Sequence, residues 1–207
     1  MRIIAGTHRG RKLLGPEDAA VTRPITDRVK TSLFDHLAAH DLIENATVLD
    51  LFCGTGSMGL ECLSRHAAHT TFIDRDRKAI TRLKQNLQTL KETPKARVLP
   101  VDALSATAAQ PPSPDQPYNL IFVDPPYPLL RDEQLRPRLF NQIIRLAQSA
   151  APNATLILRT VKREKLDPVA HWQGPESKSI GTMSLHEYHL PDLPIQQPDQ
   201  TAPNADQ

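Results

Sequence analysis

Apolar and polar positions follow one pattern between Thr47 and about residue 160 and another on either side. Val48–Phe52, Thr70–Ile73, Arg97–Val101, Leu120–Val123 and Thr155–Leu158 are short runs rich in Val, Ile, Leu and Phe, with the length and composition of buried strands. Between them, Ser57–Arg65, Arg77–Leu90 and Gln134–Ala150 repeat apolar residues at helical spacing, with Pro137 in the first turn of the last segment. A short helix is expected from Ala103, and the four prolines of Gln110–Pro117 mark a loop. This alternation predicts an α/β fold, a mostly parallel sheet with helices on both faces.

The flanks read differently. Ile3-Ile4 and Lys12–Leu14 form two short strands of a hairpin around the turn-prone Gly6–Gly10. A loop follows to Pro24. Thr26 then caps a helix of about 14 residues, with Val29, Leu33, Phe34 and Leu37 on its apolar face. Ser179–Leu190 reads as one or two strands around Gly181. The last 17 residues hold four prolines and almost no large apolar groups, too little to offset ordering entropy, so 191–207 is expected to be a disordered tail. There is no internal repeat. Residues 1–190 read as one domain, with a basic hairpin and helix over 1–40 and a strand–helix core over 46–190.

Composition fits a soluble globular chain: 207 residues, 39% hydrophobic and 23% charged. No apolar run approaches the roughly 20 residues needed to span a bilayer, and Met1–Gly6 lacks the apolar stretch of a signal peptide. The expected compartment is the cytoplasm. Cys53 and Cys62 have no disulfide or metal spacing and read as small buried hydrophobes. The net charge is +2, but residues 1–30 carry seven Lys/Arg against three acids. A basic arm of that kind suits a phosphate-bearing partner; a solvated surface accounts for it equally well.

The first candidate chemistry is Gly54–Gly59, which fits G-x-G-x-x-G between a strand and a helix. Such a turn lets a ligand approach the backbone and aims helix N–H groups at it. Asp74 lies 20 positions after Gly54 at the next strand end, where a carboxylate accepts from ribose hydroxyls. Asp50 discriminates between cofactors. A carboxylate beside the turn repels the pyrophosphate of NAD but attracts the ammonium of S-adenosylmethionine. Phe52 belongs with these cofactor contacts. Asp102 reads either as an acceptor for an adenine amino group or as the N-cap of the next short helix.

The second is Asp124-Pro125-Pro126-Tyr127, at the carboxyl end of the fourth strand, the edge where open α/β sheets bind ligands. Pro125 and Pro126 fix φ and present carbonyls without N–H groups. An exocyclic amine on a base is a poor nucleophile because its lone pair is delocalised into the ring. Acceptors at both of its N–H bonds, the Asp124 carboxylate and the Pro125 carbonyl, favour pyramidal geometry and stabilise the positive charge that develops on methylation. Tyr127 would stack on the base.

With these residues in view, the chain resembles amino-group methyltransferases that use S-adenosylmethionine. Arg2–Leu13, Thr22–Lys30 and Leu51–Arg65 narrow the resemblance to the RsmD type, which methylates N2 of one guanine in 16S ribosomal RNA of the bacterial small subunit. The resemblance implies a Rossmann-like class I fold with a seven-stranded sheet whose last strand is antiparallel, and assembled or partly assembled small subunits as substrate. It implies that Asp50, Gly54, Gly56 and Gly59 hold the methionine end, Asp74 the ribose, Asp102 with Ala103 the adenine, and Asp124–Tyr127 the guanine. Arg23–Arg28 would close over the cofactor or touch RNA. With Arg9, Arg11 and Lys12, Arg23 and Arg28 make up the candidate RNA contacts. Three positions depart from the pattern. Thr31 and Arg159 stand where acids are common, and Asp74 where Glu is more frequent.

Two other readings remain. A DNA adenine-N6 or cytosine-N4 methyltransferase uses the same tetrapeptide, but about 190 residues leave little room for a target-recognition region. A non-catalytic RNA-binding protein of the same fold needs neither Asp124 nor Tyr127. His66/His69 and His186/His189 lack further ligands, so no metal is expected; Trp172 reads as a packing residue, and the chain as a monomer.

Overall fold

The computed structural model describes residues 1–17 and 25–192. Its elements, in chain order, are α1 (Asp27–Ala39), β1 (Thr47–Leu51), α2 (Ser57–Ser64), β2 (His69–Ile73), α3 (Arg77–Leu90), β3 (Ala96–Leu99), β4 (Tyr118–Val123), α4 (Tyr127–Arg131), α5 (Leu135–Leu146), β5 (Ala150–Val161), β6 (Gln173–Ile180) and β7 (Met183–His189). The strands form one seven-stranded sheet in the order β3-β2-β1-β4-β5-β7-β6. β1 to β5 pair in parallel. β7 runs antiparallel to both β5 and β6, so the last strand is the reversed one, as the resemblance implied. This is the Rossmann-like α/β fold of class I methyltransferases.

The strand register assigns residues to faces. Val48, Phe72, Leu120, Phe122 and Ile157 share one face, and α1, α2 and α3 cover it. Leu49, Leu51, Ile121, Val123, Leu156 and Leu158 line the other, under α5 and the short α4. Both faces are buried, which is why these strands read as continuous apolar runs. β1 lies between β2 and β4, where the chain's crossovers change direction, so its carboxyl end is the expected ligand edge of the sheet.

Local signals place several boundaries. The Thr26 hydroxyl accepts from the Val29 N–H at 3.4 Å and starts α1. The Asp76 carboxylate accepts from the N–H groups of Lys78 and Ala79 and starts α3 at the residue the sequence indicates. Trp172 is a packing residue, its indole donating to the Ile143 carbonyl at 2.9 Å.

Four expectations are corrected. Residues 1–14 make a single antiparallel bridge, Arg2 to Lys12, instead of two strands. Their backbone groups are partly spent on α2: the N–H groups of Ile4 and Ala5 donate to the Glu61 carboxylate and that of Thr7 to the Ser64 carbonyl. The third strand stops at Leu99, where the Val101 N–H turns back to the Leu99 carbonyl. The short helix expected from Ala103 is a 3-10 turn at Ala106–Ala109. Gln173–Lys178, not anticipated as a strand, forms most of β6. The segment from Pro16 to Pro24 is described only to residue 17, and of the expected disordered tail only Pro191 and Asp192 lie within the described residues.

Candidate active site

The carboxyl ends of β1, β2 and β4 bring the candidate residues together. Leaving β1, the backbone enters the left-handed region at Phe52 (φ 62), Gly54 (φ 54) and Gly56 (φ 86). Glycine accepts that conformation freely; Phe52 does not, and a bulky residue at positive φ is local strain of the kind that collects at functional turns. Gly56 is the N-cap of α2 and has no side-chain cap, so the helix start presents backbone N–H groups. A Cβ on Gly59 would come within 2.4 Å of the Phe72 ring, so its hydrogen is what lets α2 pack on β2. A Cβ on Gly54 would meet nothing within 4 Å: the turn faces open space.

Two acids hold this turn. Asp74 accepts from the Gly54 N–H at 2.8 Å and, through its other oxygen, from the Asp76 N–H at 2.9 Å. Asp50 is buried and accepts from the Gly59 N–H at 2.9 Å. The Asp124 N–H donates to the Leu51 carbonyl at 3.2 Å, which joins the Asp-Pro-Pro-Tyr turn to the end of β1. The carboxylates feel one another. Burial, followed by the charges of Asp124 and Asp74, pushes Asp50 up to about 7, against the pull of the Gly59 N–H and Lys30. Burial also raises Asp124, with Arg159 opposing and Asp74 adding to it. Three mutually repelling acids beside an open turn favour a cation there and disfavour a phosphate.

The ordinary Asp value of 3.8 applies in the unfolded chain, so the folded state binds more protons between pH 4 and 7. Stability conferred at low pH is therefore lost as pH rises through that window. At about 1.4 kcal/mol per unit, ionising Asp50 costs the fold on the order of 4 kcal/mol. Asp50→Asn keeps an acceptor for Gly59 and removes the charge. In urea titrations its stability advantage over the parent is expected to grow from pH 5 to pH 7 and level off above pH 8; an advantage independent of pH contradicts this placement of the charge.

In the tetrapeptide, Pro125 is buried and Tyr127 half-buried at the start of α4. The Pro126 carbonyl accepts from the Leu129 N–H at 2.9 Å and is thus committed to α4. Asp124 meets a partner not foreseen: the Arg159 Nε donates to its Oδ1 at 2.5 Å. Asp102 forms a turn, accepting from the Leu104 N–H at 3.0 Å, and Ser105, not Asp102, occupies the N-cap of the following 3-10 turn. Ala103 beside it is buried. The hydroxyls of Ser57, in the first turn of α2, and Ser105 are buried without a partner among the described residues. Neither was singled out from the sequence; Ser57 lies in the Gly54–Gly59 run and Ser105 three positions past Asp102.

Of the candidate RNA contacts, Arg9, Arg11, Lys12 and Arg28 are exposed, and Arg23 lies outside the described residues. Arg28 lines an open groove of about 560 Å³ with Thr31, Ser32, Asp35, His36 and Lys178, so Thr31, the first departure from the pattern, belongs to that groove. The loop carrying Arg9 and Arg11 is anchored by a charge cluster the sequence reading missed. Lys30 and Glu61, 1% and 0% exposed, pair at 2.9 Å; Lys30 also donates to the Arg2 carbonyl, and Glu61 accepts from Arg65. Burial pulls Lys30 down, with Glu61 opposing. The available signal was Lys30 lying in line with Leu33, Phe34 and Leu37 on the apolar face of α1. Cys53 and Cys62 are free and buried, as expected. The described residues hold no group of three or more His, Cys, Asp or Glu suited to a metal, and no helix long and apolar enough to cross a membrane.

The chain is similar over residues 1–189 to the model of a family described as conserved hypothetical protein 95. It is 46% identical over 127 residues to ribosomal RNA small subunit methyltransferase D of Escherichia coli K12, a match spanning 61% of this chain and 60% of that relative. It is 34% identical over 189 residues to the protein of the same name from Haemophilus influenzae, covering 91% and 93%. The solved structure of yhhF from Escherichia coli, described as a candidate methyltransferase, superposes with a TM-score of 0.76 at 36% identity, covering 93% of this chain and 99% of that one. With the family model matched from residue 1 to residue 189, the chain belongs to the conserved hypothetical protein 95 family, the RsmD family to which its motifs pointed.

Proposed function

We propose that this protein transfers a methyl group from S-adenosylmethionine to the exocyclic N2 of a guanine in 16S ribosomal RNA of the small subunit. The observation that carries the reading is the meeting of Asp50, Asp74 and Asp124 with the open Gly54 turn at one sheet edge. That locus suits a ligand with a sulfonium and an ammonium and no phosphate. Asp50, Phe52 and the Gly54–Gly59 turn would hold the methionine end, Asp74 the ribose, and Asp102 with Ala103 the adenine. When bound, the cofactor supplies an electrophilic methyl group.

The chain's own residues then act on the amine. Asp124 accepts one N–H and the Pro125 carbonyl the other, which localises the nitrogen lone pair and stabilises the charge that grows on it. Pro126, fixed at the start of α4, keeps the turn rigid, and Tyr127 stacks on the base. The proton released after transfer leaves to Asp124 or to water. Residues 1–190 would act as one unit, as a monomer, in the cytoplasm.

RNA as substrate is supported by the names of the relatives and by the basic loop, held on α2 by Glu61 and Ser64. Phosphate contacts release counterions, each contributing about 0.7 to the slope of log affinity against log salt for single strands. Replacing Arg9, Arg11 and Lys12 together with alanine is expected to lower that slope by about two for small-subunit RNA, with S-adenosylmethionine affinity unchanged by calorimetry. An unchanged slope removes the loop from the RNA interface. The substrate class is tested by tritiated methyl transfer to small subunits from cells lacking this gene, with duplex DNA in parallel. Transfer is expected to the subunits alone; transfer to DNA alone sinks the proposal in favour of a DNA amino-methyltransferase.

A further inference from the structure

Arg159 stands on β5 directly after the apolar run Leu156–Leu158 and is 9% exposed. Phe122 pairs with Ile157, so two residues further along each strand Asp124 and Arg159 fall opposite each other on one face. The Arg159 Nε donates to Asp124 Oδ1, and its Nη1 lies 4.0 Å from the Met183 sulfur. We propose that Arg159 is a positioning residue for methyl transfer: its guanidinium keeps the Asp124 carboxylate ionised and turned so that the second oxygen, Oδ2, meets the target amine. This rests on the reading of Asp124 as the amine's acceptor.

The amine is a pure donor while planar, so the carboxyl facing it must accept. A protonated Asp124 could present an O–H instead. The charges around it come from several elements: Asp50 on β1, Asp74 after β2, and Lys30 of α1, which acts on Asp50. The two acids and burial favour the protonated form; among the described residues Arg159 is the cation in contact with Asp124, and a guanidinium stays charged at any working pH. An interaction at one oxygen also fixes the plane of a carboxylate that could otherwise rotate. The fold has less need of the pair, because β4 and β5 are already joined along their length and α1, β5 and β7 pack there through apolar groups.

The test uses full-length protein, small subunits lacking the modification and tritiated S-adenosylmethionine, from pH 6 to pH 9. Arg159→Gln is expected to lower kcat roughly 10- to 100-fold, the order that misplacing a reacting group costs. Cofactor affinity should stay within about 3-fold, and the acid limb of the kcat profile should move up by about one to three units. Arg159→Lys keeps the charge without the planar fork, so its acid limb should return to the parent position while kcat stays several-fold low. An acid limb that does not move in Arg159→Gln, or a parental kcat in Arg159→Lys, overturns the proposal. If Arg159→Gln does not fold, the Lys variant alone decides. Should Asp124→Ala remain active, it is the underlying reading of Asp124 that fails; an inactive Asp124→Ala with an unaltered Arg159→Gln removes only the role of Arg159.

Discussion

Replacing Asp124 with alanine is expected to lower methyl transfer by at least about 10²- to 10³-fold, the loss seen when one preorganised group facing developing charge is removed. The expectation follows from the chemistry of the amine. Its lone pair belongs to the ring until the nitrogen pyramidalises, and positive charge appears as the methyl group arrives. On the proposed reading Asp124, at the end of β4 with its N–H on the Leu51 carbonyl, serves both events. A charged acceptor counts for more than a neutral one, so Asp124→Asn, with one acceptor oxygen and no charge, should fall between alanine and the parent. Cofactor affinity measured by calorimetry should change by no more than a few-fold in either variant, because Asp124 holds none of the turn's N–H groups. Equal losses of binding and transfer would instead place Asp124 among the cofactor contacts.

Removing Glu61 has the largest expected effect on stability. Its carboxylate, fully buried, takes the Lys30 ammonium, the Arg65 guanidinium and the N–H groups of Ile4 and Ala5. Taken alone, burial would raise its pKa; Lys30 and the backbone donors outweigh it, and the group is held below its ordinary value. Glu61→Ala leaves the buried Lys30 charge with the Arg2 carbonyl as its one remaining hydrogen-bond acceptor among the described residues. Breaking a buried pair in this way costs about 3–5 kcal/mol, a large share of a typical domain's stability of about 5–15 kcal/mol. Urea unfolding should show that loss. Replacing both partners, Lys30→Met with Glu61→Leu, removes the charges together and should recover much of it, although the Ile4 and Ala5 N–H groups stay unpaired. A loss below about 1 kcal/mol in Glu61→Ala contradicts this account of the cluster. Its consequence reaches function, because the same carboxylate docks the loop that presents Arg9 and Arg11.

Much of the fold could be read along the chain wherever local and tertiary signals agreed. α3 has an acidic N-cap, an amphipathic period and no competing partner, and its limits in the structure are those of the pattern. The apolar strands stood out because both faces of the sheet are covered. Most of β6, Gln173–Lys178, was missed for the opposite reason. Gln173–Ile180 is polar and mostly exposed, and only its pairing with β7 makes it a strand. Residues 1–3 do pair with 10–13 around the Arg2–Lys12 bridge, but the N–H groups of Ile4 and Ala5 go to Glu61 of α2, so the pairing stops short of two strands.

The candidate site divides the same way. The glycine turn with Asp50 and the Asp-Pro-Pro-Tyr turn are contiguous motifs whose chemistry is written in adjacent residues, and Asp74 follows the first at a fixed spacing, at the end of the next strand. Lys30 with Glu61 and Arg159 with Asp124 are 31 and 35 positions apart, and only the packing of α1 on α2 and the register of β4 on β5 bring them together. In both cases the trace left in the sequence is a charged residue inside an apolar pattern.

Whether the amine held at Asp124 is guanine N2 in small-subunit RNA is decided in the RNA itself. Small subunits from cells lacking this gene would be incubated with the protein and S-adenosylmethionine, and their RNA digested to nucleosides for mass spectrometry. The predicted result is a gain of N2-methylguanosine that depends on the protein and is absent with Asp124→Ala. A gain of N6-methyladenosine or N4-methylcytidine, or no new methylated nucleoside, would contradict it.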